Sequence, residues 1–167
     1  MGGLVSMREA SDVRTRLASV DPQSCPKWAP QPRGNLVRIV DVYDGDTLTA
    51  LCLLGESIFK YSVRLRGVDC PEVRGRGQKE REAALCIRDL VRLLCLDKIC
   101  ELAPFGMDKY GRLIAEIVLP DGTNLSLFLL ESSLARKYMG KARKAFSEDE
   151  IATMLTKTKE LCSRYHF

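Results

Sequence analysis

Five side chains in three short strings carry the chemistry this chain can do. Asp46 lies in Asp44-Gly45-Asp46-Thr47. Arg64, Asp69 and Glu72 lie in Arg64-Leu65-Arg66-Gly67-Val68-Asp69-Cys70-Pro71-Glu72, and Arg112 closes Asp108-Lys109-Tyr110-Gly111-Arg112. Two carboxylates can hold a hard cation, which prefers oxygen ligands. A third can take a proton from water. Two guanidinium groups can grip a phosphate through forked, charge-assisted hydrogen bonds. That inventory suits metal-assisted hydrolysis of a phosphodiester. Each string alone is weak evidence, because Asp-Gly is a common hairpin turn and the other two can be acidic or solvated loops. The weight comes from all three occurring together at strand ends.

The strands that must position them are legible. Leu36 to Val42 is rich in apolar and β-branched residues, Asp44-Gly45 signals a turn, and Thr47 to Leu54 follows as a second strand. Ile58 to Leu65 alternates, with Phe59, Tyr61, Val63 and Leu65 on one face and Lys60, Ser62 and Arg64 on the other. Val73 to Lys79 reads as a mobile basic loop. From about Gln78 the period changes, and Ala83, Ala84, Ile87, Leu90, Val91 and Leu94 form a helical stripe. Lys98 to Leu102 and Arg112 to Leu119 read as two more strands. Asn124 can cap a second helix, and Ser147-Glu148-Asp149-Glu150 is a capping-box signature for a third. Three strands, a helix, two strands and two helices predict an α+β fold, a five-stranded Greek-key barrel of OB type. A ferredoxin-like layer is the alternative and fits the strand order less well.

Bulk properties allow a single domain of 35–167 preceded by an arm of 1–34. The 167 residues are 46% hydrophobic and 29% charged, with a net charge of +4, which permits an acidic partner without requiring one. Seven scattered cysteines (25, 52, 70, 86, 95, 100 and 162) show no zinc spacing and read as small apolar core residues in a reducing compartment. No secretory h-region or membrane span is present, so an intracellular location is expected. In the arm, prolines at 22, 26, 30 and 32 break regular structure, and Trp28 is a candidate anchor to the body. Met1-Gly2-Gly3-Leu4-Val5-Ser6 fits the myristoylation pattern and makes Gly2 a lipidation candidate, a weak membrane tether. Translation from Met7 would remove the motif.

The strings Val-Tyr-Asp-Gly-Asp-Thr (42–47), Val-Arg-Leu-Arg-Gly-Val-Asp-Cys-Pro-Glu (63–72) and Asp-Lys-Tyr-Gly-Arg-Leu (108–113) resemble the staphylococcal nuclease family. The resemblance covers roughly Leu36 to Tyr138. It implies a single Ca2+ site with Asp46, Asp69 and the backbone carbonyl of Cys70 as ligands. It implies Arg64 and Arg112 on the scissile phosphate, and Glu72 orienting or deprotonating the attacking water. Lys109 and Tyr110 would sit near a terminal phosphate, with Tyr138 lining the base pocket. The implied activity is Ca2+-dependent endo- and exonucleolytic cleavage of DNA and RNA, single strands preferred, leaving 3′-phosphate ends; a monomer is expected. The alternative is a noncatalytic nucleic-acid-binding module like the nuclease-like repeats joined to Tudor domains, which typically lack the catalytic residues retained here.

Two departures stand out. Cys70 replaces the type enzyme's threonine and brings a thiol near the expected cation, and the base pocket's second tyrosine has no counterpart after Tyr138. Arg66, Arg74, Arg76, Lys79, Lys109, Arg136, Lys137, Lys141 and Arg143 can track a phosphate backbone, with a solvated surface as the plain alternative. His166 is the only histidine and sits at the chain end, which leaves none for a histidine-based mechanism.

Overall fold

Alternating burial turns five stretches of this chain into a closed sheet. The computed structural model describes residues 36–54, 56–75, 77–140 and 144–165, with Thr15, Ala18, Ser19 and Asp21 of the N-terminal stretch. The other residues of the 1–34 arm lie outside the described residues, so Gly2, Arg8, Arg14, Arg16 and Trp28 are not placed; nor are Arg76, Lys141, Arg143 and His166.

Strands β1 (Leu36–Asp44), β2 (Thr47–Leu54), β3 (Ser57–Leu65), β5 (Ile99–Met107) and β6 (Leu113–Val118) close a barrel in the order β1-β2-β3-β6-β5. All neighbours are antiparallel except β3 and β6, which run parallel. This is the OB-type architecture expected, and the closed barrel excludes the ferredoxin-like layer. Three helices complete the described residues: α1 (Gln78–Cys95), α2 (Leu125–Glu131) and α3 (Glu148–Tyr165).

Alternate residues of β1 point inward, with one step added by a register shift after Ile39, so Val37, Ile39 and Val42 are buried, and Leu113, Ala115 and Ile117 of β6 are buried in strict alternation. Helix α1 adds Ile87, Leu90 and Val91 to this core, and α3 adds Ile151 and Met154. The caps are as read. Asn124 Oδ1 accepts from the Leu127 N–H (3.2 Å). The Ser147 N–H donates to Glu150 Oε2 (2.7 Å) while the Glu150 N–H donates to Ser147 Oγ (3.2 Å), satisfying two helix-end donors reciprocally. Burial also explains the thiols: desolvation pushes Cys52 up to about 11 and Cys95 up to about 12, so both stay neutral core residues.

Three expectations need correction. The alternation of β3 becomes burial only toward its end: Phe59 is 48% exposed, while Val63 and Leu65 are buried. Only Val63 to Leu65 of β3 pairs with β6, so the first part of the strand is paired with β2 alone. Strand β5 runs on to Met107 through Pro104, because a register shift between Pro104 and Gly106 absorbs the missing N–H. Two dipeptide strands were not foreseen, β4 (Val68–Asp69) and β7 (Arg136–Lys137), which pair antiparallel outside the barrel.

Glycine is required in the β1-β2 turn by close approach. A Cβ on Gly45 would lie 2.6 Å from Ile87 Cγ2 and 3.0 Å from Cys70 Sγ. Gly45→Ala should therefore cost about 1–3 kcal/mol in denaturant unfolding, with a smaller loss in an Ile87→Ala background. An equal loss in both backgrounds would show that this contact does not set the turn.

Candidate functional site: a carboxylate pair bridged by arginine

Asp46 and Asp69 come from loops that the fold brings face to face. Asp46 ends the two-residue turn between β1 and β2 and is 5% exposed; Asp69 lies in β4 and is 1% exposed. Buried carboxylates need compensation. For Asp46 the Cys70 N–H donates to Oδ2 (2.8 Å) and the Thr47 hydroxyl donates to Oδ1 (3.0 Å). Thr47 pairs with Arg64 across the β2-β3 ladder, which sets Arg64 beside this turn. Its guanidinium forms an ion pair with Asp46 through Nη1 and lies 3.6 Å from Asp69 Oδ1 through Nη2. One positive group thus bridges both carboxylates.

Asp69 has a second cation. In the β4-β7 ladder it faces Arg136, whose Nε (3.2 Å) and Nη2 (2.9 Å) both donate to Asp69 Oδ2. Arg136 also donates to the carbonyls of Lys144 and Ala145 and stacks 4.0 Å from the Phe146 ring centroid. It is therefore anchored at the site by partners that the sequence reading of a phosphate-tracking base did not include.

Arg112 is aimed by Asp108. The Asp108 carboxylate accepts from the Arg112 and Tyr110 amides (2.9 Å each) and from Arg112 Nε (2.7 Å). Burial raises the Asp108 pKa, but these hydrogen bonds and the charge of Arg112 outweigh it and hold the carboxyl below the usual aspartate range. A lowered folded-state pKa contributes stability above the ordinary aspartate range and loses it as pH falls through the folded value, so acid loosens this clamp.

Two clefts meet at Arg112. The larger, about 770 Å³, is lined by Arg64, Lys109, Tyr110 and Tyr138 among others, and the smaller, about 470 Å³, by Asp44, Thr47, Glu72 and Arg74. Glu72 is exposed, and its loop is pinned on both sides: the Val73 N–H donates to Asp44 Oδ1 (2.9 Å) and the Gly75 N–H to the Glu72 carbonyl (2.8 Å). The first part of the segment read as a mobile loop is thus tied down.

A family model described as "Staphylococcal nuclease homologue" matches residues 62–160, more than half of the chain. The chain belongs to the staphylococcal nuclease family. Its relatives include proteins named "Uncharacterized endonuclease" from Escherichia coli, 29% identical over 101 residues (60% of each chain). One from Haemophilus influenzae is 35% identical over 118 residues, or 70% of this chain and 57% of that one. The chain thus spans about three fifths of the length of the curated relatives it matches. Asp46 precedes the stretch matched by the family model, and the β2-β3 ladder returns it to Arg64.

The structure of this family member brings Asp46, Arg64 and Asp69 into one ion-paired group, with Arg112 and Glu72 along the adjoining clefts. Lys109, Tyr110 and Tyr138 line the larger cleft together with Arg64 and Arg112, and the Arg112 guanidinium lies 5.5 Å from the Tyr110 ring centroid. The Cys70 main chain lies against Asp46 through its N–H, but its side chain is 1% exposed and packs in the core beside Gly45, so the thiol is not open to solvent. Among the described residues no group of three or more His, Cys, Asp or Glu side chains converges on one point. Asp46 and Asp69 are two buried carboxylates, oxygen donors of the kind a hard cation takes. Asp44, Thr47 and Asp108 were missed as site residues. Asp108 had a signal, a carboxylate four residues before Arg112 across a glycine turn; Arg136 was read as a basic residue facing a phosphate backbone, and its pairing with Asp69 had no signal because that partner is 67 residues away.

Arg136→Met removes one side of this pair and strands part of the Asp69 charge. The loss of unfolding free energy should be about 2–4 kcal/mol, below that for a fully buried pair because Arg136 is one quarter exposed. Arg136→Lys should recover part of it. A loss below about 0.5 kcal/mol, the scale of an exposed pair, would contradict the assignment.

Proposed function

We propose that this chain is a Ca2+-dependent nuclease that hydrolyses phosphodiester bonds of DNA and RNA, with single strands preferred and 3′-phosphate products. The observation that carries the reading is the Asp46-Arg64-Asp69 group beside two clefts that share Arg112. Asp46 and Asp69 would hold the calcium ion, with main-chain oxygen completing the protein's share. When bound, Ca2+ supplies positive charge to the phosphate oxygens, where negative charge grows in the transition state.

The chain's own residues do the rest. Arg112, held by Asp108, presents its outer guanidinium nitrogens to a phosphate. Arg64 turns from the carboxylates to a second phosphate oxygen. Glu72, exposed in the smaller cleft, accepts the proton of the attacking water. Attack at phosphorus forms the new P–O bond while the bond to the 5′-oxygen breaks, so the phosphate stays on the 3′ side and the 5′-oxygen takes its proton from solvent water in the open cleft. Tyr110 and Tyr138 offer faces for unstacked bases, a reason for a single-strand preference.

The test is cleavage of single-stranded DNA by the purified chain with Ca2+ or with a chelator. Cleavage is expected with Ca2+ and none with the chelator; activity that survives chelation removes the cation from the mechanism. Glu72→Ser and Arg112→Ala should each lower kcat about 100- to 1000-fold with little change in Tm. A near-normal rate takes that residue out of the reaction.

A further inference from the structure

Glu116 stands at the far end of the larger cleft, on the strand that follows Arg112. Burial alternates along β6, so Ile114 and Glu116 face the cleft while Leu113, Ala115 and Ile117 fill the core. Glu116 lies four extended residue steps beyond Arg112, roughly 13 Å. Ile114 lies between them, and Tyr110 and Tyr138 border the same space. A phosphate at Arg112 thus has apolar and aromatic surface next to it and a carboxylate beyond.

That carboxylate is held by two donors that are themselves pinned. Oε1 accepts from Arg66 Nη1 (3.3 Å), and Arg66 is stacked 3.7 Å from the Phe105 ring centroid. Oε2 accepts from Asn124 Nδ2 (3.4 Å). Asn124 cannot turn its amide over, because Oδ1 caps α2. A carboxylate has about four lone-pair sites, so roughly two remain for a ligand. Ser126 Oγ lines the same cleft, buried and without a hydrogen-bond partner among the described residues.

We propose that Glu116 reads the edge of the base beside the scissile phosphate and makes the enzyme prefer guanine there over thymine or uracil. A carboxylate only accepts hydrogen bonds. Guanine offers two adjacent donors, the ring N1–H and the N2 amine, which match the two oxygens. Cytosine and adenine offer one amine beside an acceptor. Thymine and uracil flank their single N–H with two carbonyls, which face the carboxylate unfavourably. An unstacked base in a single strand exposes this edge.

The inference rests on the nucleotide-hydrolysis reading, and the experiment separates the two. Binding of dGMP, dCMP, dAMP and dTMP to the full chain is measured by calorimetry with Ca2+, alongside cleavage of short oligonucleotides differing at one base. Wild type should bind dGMP about tenfold more tightly than dTMP, and Glu116→Gln should bring the ratio within about twofold with unchanged Tm. Equal binding, a thymine preference, or a guanine preference that persists in Glu116→Gln overturns the inference while cleavage leaves the hydrolase reading standing. Neither binding nor cleavage of any substrate removes both.

Discussion

The site depends on two buried carboxylates, Asp46 and Asp69, held close enough to share the Arg64 guanidinium. Burial makes each charge costly alone, so the surrounding structure is committed to compensating them. The β1-β2 turn closes tightly over Ile87 because Gly45 has no side chain. The Cys70 N–H reaches Asp46 because β4 starts directly after the turn that ends β3. The small β4-β7 sheet exists outside the barrel, and its register sets Arg136 against Asp69. Two arginines thus balance two aspartates before any other ion is considered.

This balance shapes what the site can do. On the function proposed above, a divalent cation between Asp46 and Asp69 would compete with Arg64, and a phosphate in the larger cleft would give Arg64 another anion to meet. Arg136 has no such freedom, being tied to main-chain carbonyls and the Phe146 ring. The division of labour is electrostatic: Arg64 bridges the two carboxylates, Arg136 is a structural counterion, and Arg112 is aimed by its own aspartate.

Much of the fold was legible in the sequence. Apolar and β-branched runs bounded by turn signals marked the five barrel strands, with a clear period of two in the third, and Asn124 and Ser147-Glu150 marked two helix starts by chemistry that acts within four residues. The three strings marked Asp46, Arg64, Asp69, Glu72 and Arg112 because turns with special backbone needs carry recognisable residues. What was not legible was non-local. Two-residue strands have no period to detect, so Arg136 passed for a surface base. Phe59 alternated correctly but projects where no layer covers it. Glu116 looked like any polar residue facing outward from a strand until the cleft placed it on the same wall as Arg112.

The central claim is that Asp46 and Asp69 cradle a hard cation in place of Arg64. Its most direct test is a crystal structure of the full chain grown with Ca2+ and a nucleoside 3′,5′-bisphosphate, read by anomalous scattering from the calcium. The account predicts one calcium peak at oxygen-ligand distance, about 2.3–2.6 Å, from both carboxylates, with Arg64 turned to the phosphate. A calcium peak elsewhere, or Arg64 still bridging Asp46 and Asp69 with nucleotide bound, would contradict it.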